Sequence, residues 1–238
     1  MRFPTFLGDD ELVTDHPVAP LLTHEPDPTD GYVGDPAVRA EWDARYSEGG
    51  DRLWSGRPNG ALVVEVADLP SGRVLDVGCG EGADAVWLAS RGWTVTALEV
   101  SGIALQRAMG HARDAGVRVD WVHAGLAEAA LPPRSFDLVS AQYPALLRTP
   151  EAAAERALLS AVAPGGLLLL VHHAGMDTQP AHEGGFDPAD YVWPAMIAAL
   201  LDEDWQVEVD EQRPRIVPEG GAGAHHVDDV VLRARRLR

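Results

Sequence analysis

"VLDVGCGEGADAVWLASRGWTVTALEVS", residues 74–101, decides the fold, because it joins a short apolar strand to a glycine-rich turn, a helix and a second strand. Glycine has no Cβ, so such a turn can bend sharply and let the backbone approach a ligand. Two spacings fit the same turn. Gly78, Gly80 and Ala83 match G-x-G-x-x-G/A, the pattern typical of dinucleotide-binding proteins, whereas Gly78, Gly80 and Gly82 match G-x-G-x-G. The residues around the turn must decide between them.

Strands and helices alternate regularly from residue 72 onward. The predicted strands are "GRVLDVG", "TVTALEV", "VRVDWVHA", "FDLVSAQYP" and "GLLLLVHHA", and the first two intervening helices end at Gly92 and Gly116. This rhythm is typical of right-handed βαβ units and a parallel sheet covered on both faces. After residue 187 a helix interrupted by Pro194 is followed by two alternating strands, "WQVEVDEQRP" and "HHVDDVVLRARRL", with the turn "EGGAGA" between them. The sequence therefore predicts an α/β, Rossmann-like, doubly wound and mostly parallel seven-stranded sheet with a C-terminal antiparallel hairpin.

The N-terminal part of the chain has a different composition. Residues 1–35 are rich in Pro and Asp and show no periodicity, which predicts an extended arm. Asp35 followed by Pro36 is typical of a helix start. We expect residues 36–238 to form one domain, with a helical lid segment at 36–70, a ligand-binding core at 71–175 and a C-terminal helix and hairpin at 176–238.

Composition excludes several classes of partner. The formal net charge of the 238 residues is −18, and all 19 basic residues are arginine. This charge repels phosphate backbones and anionic membrane surfaces, so we expect neither nucleic acid nor membrane as a partner. No apolar run is long enough to span a bilayer, and the N-terminus does not have the pattern of a secretory signal. The single cysteine, Cys79, excludes an internal disulfide and favours a cytoplasmic location.

Three features near the glycine turn discriminate between the two spacings. Asp76 lies on the strand just before the turn, where a carboxylate suits a ligand with an ammonium and a sulfonium better than a pyrophosphate. A Pro-Gly-Gly turn, "APGG", precedes the fifth strand, and the chain closes with a helix and a hairpin rather than with further parallel units.

With these features the chain resembles the class I S-adenosylmethionine-dependent methyltransferases over roughly residues 40–236. The segments "EWDARYSEGGDRLWSGRPNGAL" and "FDPADYVWPAMIAALLDEDWQVE" resemble the small-molecule branch that contains tellurite- and thiopurine-methyltransferase-like proteins. The stretch "AQYPAL" lacks the [DN]-P-P-[YF] motif of the amino-group methylases, which agrees with a small-molecule acceptor.

The resemblance implies roles for individual residues toward S-adenosylmethionine. Gly78, Cys79 and Gly80 would line its methionine part, with Asp76 near the amino group. Glu99 would accept hydrogen bonds from both ribose hydroxyls, and Val100 would pack on the adenine. The cofactor residues expected in addition are Trp54, Arg57, Gly125, Leu126 and Gln142.

Three of these expectations have open alternatives, and one position departs from the family. Asp76 could instead only cap the helix that follows it. Trp54, with Trp42 and Tyr46, could either close over the cofactor or tie the first helix to the domain, and Arg57 could meet the cofactor carboxylate or form a surface ion pair. Gly125 stands where the family has an acid that receives the adenine amino group. Either Glu128 replaces that acid, or the Leu126 backbone and stacking hold the adenine.

Candidate catalytic residues follow the fourth and fifth strands. Methyl transfer needs alignment and a dry site, and a protonated nucleophile also needs a base, for which histidine is suited near neutral pH. His172 and His173 are the candidates, and one of them should face the site because adjacent strand residues point to opposite faces. Each histidine could instead only be hydrogen-bonded to neighbouring backbone. Tyr143 could orient or deprotonate an acceptor, or serve only packing. The histidines also raise the question of a metal, with His182, His225 and His226, but their spacing fits no compact zinc site, so we expect none.

The sequence thus predicts an S-adenosylmethionine-dependent methyltransferase that acts on a small molecule through an oxygen, nitrogen, sulfur or chalcogen nucleophile. The alternative is a protein that binds the same cofactor in a regulatory or non-methylating role. An NAD-dependent oxidoreductase is the third reading.

Overall fold

The computed structural model describes residues 31–180, 186–216 and 225–238. The predicted arm therefore lies outside the described residues except for its last five, as do His182 and the glycine-rich turn predicted at 219–224.

A mixed sheet forms the centre of the described chain. Its strands are β1 (Arg73–Val77), β2 (Thr94–Glu99), β3 (Asp120–His123), β4 (Phe136–Gln142), β5 (Val162–His173), β6 (Trp205–Pro214) and β7 (Asp228–Arg236). Within the described residues the order is β3-β2-β1-β4-β5-β7-β6; the first five strands are parallel, and β7 is antiparallel to both of its neighbours. This confirms the predicted fold class. The order reverses between β1 and β4, so the ligand crevice of such a sheet is expected at their carboxyl ends.

Helices cover both faces of the sheet. They are α1 (Pro36–Glu48), α2 (Gly60–Glu65), α3 (Ala83–Ala89), α4 (Gly102–Asp114), α5 (Ala153–Ala161) and α6 (Pro194–Ala198). The Asp35 side chain accepts a hydrogen bond from the Ala37 amide at 2.8 Å, which confirms the predicted start of α1. The helix predicted after residue 187 is shorter in the structure, where a 3₁₀ turn at Pro188–Asp190 replaces its first part and α6 covers Pro194–Ala198. The predicted restart at Pro194 is confirmed.

The fifth strand differs from its prediction. It begins at Val162, which pairs with Phe136, and the Pro-Gly-Gly stretch lies inside the strand rather than ahead of it. The register shifts between Phe136 and Leu138, and Gly165 takes a φ of +79°. A Cβ on Gly166 would come within 2.9 Å of two carbonyl oxygens. The glycines therefore let an irregular strand pass close to β4, which a strand pattern alone does not reveal.

Alternation along β5 assigns its side chains to two cores. Leu168 and Leu170 pack with α5 and α6, and Leu167 and Leu169 pack on the other face with α2 and α3. Burying each of these leucines stabilises the fold by about 1.5–3 kcal/mol. The same alternation continues to the end of the strand, so His172 and His173 lie on opposite faces of the sheet.

Candidate functional site

The glycine turn leaves β1 at the carboxyl edge of the sheet. Gly78, Gly80 and Gly82 all have positive φ, at +69°, +54° and +80°. At two of these positions a side chain would also collide with neighbours: a Cβ on Gly80 would lie 2.8 Å from the Tyr46 hydroxyl, and one on Gly82 would lie 2.7 Å from the Ala108 Cβ. Backbone conformation thus favours glycine at all three positions of G-x-G-x-G, and close approach requires it at Gly80 and Gly82.

Asp76 lies under this turn and is 2% exposed. One side of its carboxylate interacts with the Ala85 amide at the start of α3, whereas Oδ2 is buried and has no hydrogen-bond partner among the described residues. Burial raises the pKa of Asp76 well above its ordinary value, and the carboxylates of Asp84 and Glu99 raise it further. One oxygen of the carboxylate therefore caps the helix, as the capping alternative expected. The other oxygen, Oδ2, lacks among the described residues the cation or hydrogen-bond donor that a buried carboxylate needs.

Glu99 closes β2 on the other side of the turn. Its Oε2 accepts from the Gly80 amide at 3.0 Å, and its Oε1 accepts from the amides of Val100 and Ser101 at 2.9 and 2.8 Å. Burial raises its pKa, and these three amides oppose that shift. The carboxylate is held with lone pairs remaining for further donors, because two carboxylate oxygens can accept about four hydrogen bonds.

A second acid of the turn, Glu81, fastens the N-terminal segment to it. Its buried carboxylate accepts from the amides of Leu53 and Trp54, both at 3.0 Å, and forms an ion pair of 2.8 Å with Arg107 of α4. The loop that follows α1 is therefore held directly against the glycine turn.

Two further carboxylates strengthen this attachment. Asp84 accepts from the Asn59 amide and from its side-chain nitrogen, each at 2.7 Å. Asp43 of α1 accepts from the Ser101 hydroxyl at 2.6 Å, next to the first turn of α4. The sequence analysis did not identify Asp43, Glu81 and Asp84. The one sequence feature that could have indicated them is the number of acidic residues around the turn.

The aromatic residues of the N-terminal segment meet at Gly80. Trp54 Nε1 donates to the Tyr46 hydroxyl at 3.0 Å, and both groups lie near the position of a Cβ on Gly80. Trp42 packs on Tyr46 with ring centroids 6.0 Å apart. Arg57 is exposed, and no ion pair to its guanidinium is found among the described residues.

The carboxyl end of β3 is covered by the chain that precedes α1. Val33 pairs with Ala124, the Gly125 amide donates to the Val33 carbonyl at 2.9 Å, and Leu126 is buried. A Cβ on Gly125 would come within 2.3 Å of Glu128 Oε2. The Glu128 carboxylate therefore occupies the space that the side chain of an acid at position 125 would need.

The ends of β4 and β5 place the candidate catalytic residues. Gln142 pairs with Val171 in the sheet and is buried, its Nε2 donating to the Ser140 hydroxyl at 3.0 Å. Tyr143 follows with a φ of +51° and stacks on His173 at a centroid distance of 4.2 Å. These ends lie one and two strands from β1, so about 5–10 Å separates them from the glycine turn along the sheet.

His172 and His173 have different surroundings. His172 is buried on the α6 face against Trp193, its Nδ1 accepts from the His173 amide at 3.0 Å, and the ring also bonds the Pro144 carbonyl. Burial, followed by the charge of His173, lowers the pKa of His172 to about 4. His173 lies on the other face, with Tyr143.

Asp229 and Arg215, which the sequence did not identify, complete this site together with His226, which the sequence grouped with the other histidines only as a possible metal ligand. The Tyr143 hydroxyl donates to Asp229 Oδ2 at 2.9 Å, the Arg215 guanidinium lies 4.8 Å from the centre of the Tyr143 ring, and His226 stacks on His173 at 4.0 Å. Burial and the Asp229 carboxylate raise the pKa of Tyr143. The register of β7 against β5 pairs Asp229 with His173, a placement that the sequence pattern does not show.

Neither a metal centre nor a membrane span is found within the described part of the chain. Among residues 31–180, 186–216 and 225–238, no three His, Cys, Asp or Glu side chains are arranged to hold a metal ion. In the same residues, no helix combines the length and the apolar character that crossing a membrane requires.

The strand order, the glycine turn and the antiparallel last strands are those of the Rossmann-like methyltransferase fold. Residues 74–166 match the family described as "Methyltransferase domain", which is well under half of the chain. The ubiquinone biosynthesis O-methyltransferase of Klebsiella pneumoniae is 39% identical over 82 residues, which cover 34% of this chain and 34% of that protein. The matched stretch thus spans about a third of that relative's length.

Solved structures resemble the chain over more of its length. One comes from work on the conversion of a disulfide bond into a thioacetal group during echinomycin biosynthesis, with a TM-score of 0.65 and 22% identity over 84% of this chain and 92% of that one. Another is the [4+2]-cyclase SpnF, with a TM-score of 0.58 and 22% identity over 84% of this chain and 94% of that one. At these identities the likeness concerns the fold.

Proposed function

We propose that the chain binds S-adenosylmethionine at the glycine turn and transfers its methyl group to a small molecule. The observation that carries this proposal is the buried Asp76 carboxylate with Oδ2 unpartnered among the described residues. A pyrophosphate beside this atom would meet a second negative charge, whereas an ammonium would give it a partner. The methyltransferase match at residues 74–166 supports the same cofactor.

Each side of the site has a role in holding the cofactor. Gly78, Cys79 and Gly80 provide a backbone without bulk for the methionine part, and Glu99 offers its remaining lone pairs to the ribose hydroxyls. Trp54 closes over the turn, and Arg57 is free to meet the cofactor carboxylate. When bound, S-adenosylmethionine supplies an electrophilic methyl group, and the protein contributes alignment and a dry site.

The adenine is assigned to the end of β3. Val100 and Leu126 pack on its faces, and the Gly125 backbone leaves room for the Glu128 carboxylate to accept from its amino group. Gln142 lies at the neighbouring edge of β4 and completes the cofactor contacts.

The acceptor is assigned to the space beyond β4 and β5, where Tyr143, His172 and His173 are the catalytic candidates. Acidic residues far outnumber basic ones, 37 to 19, which disfavours nucleic acid and favours a small, uncharged or cationic acceptor. A cytoplasmic enzyme of the tellurite- and thiopurine-methyltransferase-like branch remains our finer prediction. The segments that suggest this branch, residues 41–62 and 186–208, lie outside the matched residues 74–166.

Calorimetry followed by a product assay tests the proposal. S-adenosylmethionine and S-adenosylhomocysteine should bind with one site per chain, and NADH should not. Incubation with S-adenosylmethionine and a panel of phenols, amines, thiols and oxyanions should then yield S-adenosylhomocysteine with at least one acceptor. NADH binding without adenosyl binding would overturn the cofactor assignment.

One comparison supports a second candidate function, a role other than methyl transfer. The [4+2]-cyclase SpnF shares the fold over 84% of this chain, so this architecture also occurs in a protein described by a reaction other than methyl transfer. Tight cofactor binding with no S-adenosylhomocysteine from the panel or from a native extract would favour such a non-methylating role.

A further inference from the structure

Two buried polar atoms that have no hydrogen-bond partner among the described residues face each other beside the end of β5. They are His173 Nδ1 and Asp229 Oδ1, which lie 3.7 Å apart, and Asp229 is only 2% exposed. A buried polar atom without a partner destabilises a fold, so two of them in one cluster require an explanation. Separations of this kind often shorten to a hydrogen bond when a ligand binds.

The surroundings of His173 leave one edge of its ring for chemistry. Tyr143 covers one face at 4.2 Å and His226 covers the other at 4.0 Å, with interplanar angles of 25° and 13°. The Nδ1 edge faces Asp229. For Nε2, on the opposite edge, no hydrogen bond is found within residues 31–180, 186–216 and 225–238, so this edge is left for an acceptor.

The second oxygen of Asp229 is fixed independently. The Tyr143 hydroxyl donates to Oδ2 at 2.9 Å, and the Arg215 side chain approaches Oδ1 to 3.9 Å. Asp229 is therefore held in place by the residue that follows β4 and lies close to the Arg215 cation. His172 has no comparable arrangement, because its ring already bonds backbone groups: Nδ1 accepts from the His173 amide, and the ring also bonds the Pro144 carbonyl.

We propose that Asp229 is a positioning residue that holds His173 with its proton on Nδ1, so that His173 Nε2 removes the proton of a hydroxyl acceptor. This inference rests on the proposed function and deepens it by assigning the acceptor class. A neutral amine or a thiolate can attack a methyl sulfonium without first losing a proton, whereas a weakly acidic hydroxyl needs a base. The acceptor is therefore an alcohol or, more readily, a phenol.

The proposed step balances in atoms and charge. The acceptor oxygen forms a bond to the methyl carbon of the sulfonium donor while its O–H proton moves to His173 Nε2. The C–S bond breaks, and its electron pair stays on sulfur as a neutral thioether. The imidazolium that forms lies between two aromatic rings and beside the Asp229 carboxylate, which offsets its charge.

Histidine tautomers give a test that needs no acceptor. In Asp229→Asn the single amide oxygen accepts from the Tyr143 hydroxyl, so the NH₂ group faces His173 Nδ1. Because an NH₂ group can only donate, Nδ1 must accept, and the proton of the neutral ring then lies on Nε2. Long-range ¹⁵N–¹H NMR should show His173 protonated on Nδ1 in the wild type and on Nε2 in Asp229→Asn. Asp228→Asn is the matched control, since it removes one charge at the neighbouring residue, whose carboxylate contacts Gln212 at 3.4 Å. A wild-type His173 protonated on Nε2 would overturn the positioning role.

A kinetic test addresses the base and the acceptor class. His173→Ala should lower kcat for weakly acidic phenols by about 10²-fold or more, with unchanged affinity for S-adenosylmethionine. Asp229→Asn should lower kcat by roughly tenfold or more, and Asp228→Asn should not. Both losses should shrink as substituents acidify the phenol, and should disappear for nitrophenols that are already ionised. A merely structural role would lower all rates equally, and exogenous imidazole should restore part of the activity only of His173→Ala.

The outcomes separate this inference from the proposed function. Turnover of thiols or amines with no phenol or alcohol methylated would overturn the hydroxyl assignment and leave the methyltransferase intact. Equal losses across the phenol series would overturn the base. Cofactor binding without turnover of any acceptor would overturn both the proposed function and this step.

Discussion

Replacing Asp76 by Asn should have opposite effects on cofactor binding and on stability. The buried Oδ2 is the proposed partner of the cofactor ammonium, and Asn keeps the shape and an oxygen for the Ala85 amide while removing the charge. A hydrogen bond between charged groups contributes about 1.5–3 kcal/mol, so the affinity for S-adenosylmethionine should fall by roughly 10- to 150-fold.

Stability of the free protein should instead rise. The folded state raises the pKa of Asp76, so between the ordinary and the raised pKa the folded state holds a proton that the unfolded state has lost. Wild-type stability therefore falls as pH increases through that window, and Asn removes this loss. The gain from Asp76→Asn should be present above the ordinary aspartate pKa, near 3.8, and absent below it.

Binding should be linked to the same proton. Pairing with an ammonium requires the ionised carboxylate, so the affinity of the wild type should rise with pH below the raised pKa, with release of up to about one proton per cofactor. Calorimetry in two buffers of different ionisation enthalpy measures this release, and urea unfolding at several pH values measures stability.

Asp137→Asn is the matched control, because this residue lies at the start of β4, at the opposite edge of the sheet, and bonds the Arg73 amide. It should leave affinity unchanged. If Asp76→Asn also binds S-adenosylmethionine with wild-type affinity, the carboxylate only caps α3 and our reasoning about the cofactor amino group is refuted.

Three further substitutions probe the rest of the site. Glu81→Ala removes the acceptor of the Leu53 and Trp54 amides, so it should lower the free energy of unfolding in urea by roughly 3–5 kcal/mol and weaken cofactor binding. A decrease in that free energy of less than about 1 kcal/mol would contradict the role of Glu81 in holding the N-terminal segment. Glu99→Gln should lower cofactor affinity by about 1–3 kcal/mol in calorimetry, because an NH₂ group would face an amide donor and would no longer accept from ribose. Glu128→Ala should weaken binding of S-adenosylmethionine more than binding of an analogue with inosine in place of adenosine. Equal losses of affinity would indicate that the Leu126 backbone and stacking, rather than Glu128, hold the adenine.

The sequence predicted what depends on neighbouring residues. The glycine turn, the helix start at Asp35 and the restart at Pro194 follow from local conformational preferences, and each is confirmed in the structure. The mostly parallel sheet follows from the alternation of strands and helices, whereas the order of its strands was not predicted. The start of β5 at Val162 was missed because it depends on pairing with Phe136.

The contacts that complete the site depend on distant residues. Glu81 meets the amide of Leu53 across 28 positions, and Tyr143 meets Asp229 across 86. An acid in a helix or strand looks the same in sequence whether it is solvated or paired, so composition could not identify these partners. The two adjacent histidines were predicted to differ, but only the pairing of β5 with β7 shows which one faces a carboxylate.

A crystal structure of the complex with S-adenosylhomocysteine measures the central claim most directly. Our account predicts the amino group of the ligand within hydrogen-bond distance of Asp76 Oδ2, its ribose at Glu99, and its sulfur directed toward the Tyr143 and His173 end of the sheet. An adenosyl ligand bound away from residues 76–82, or a diphosphate nucleotide seated there instead, would contradict it.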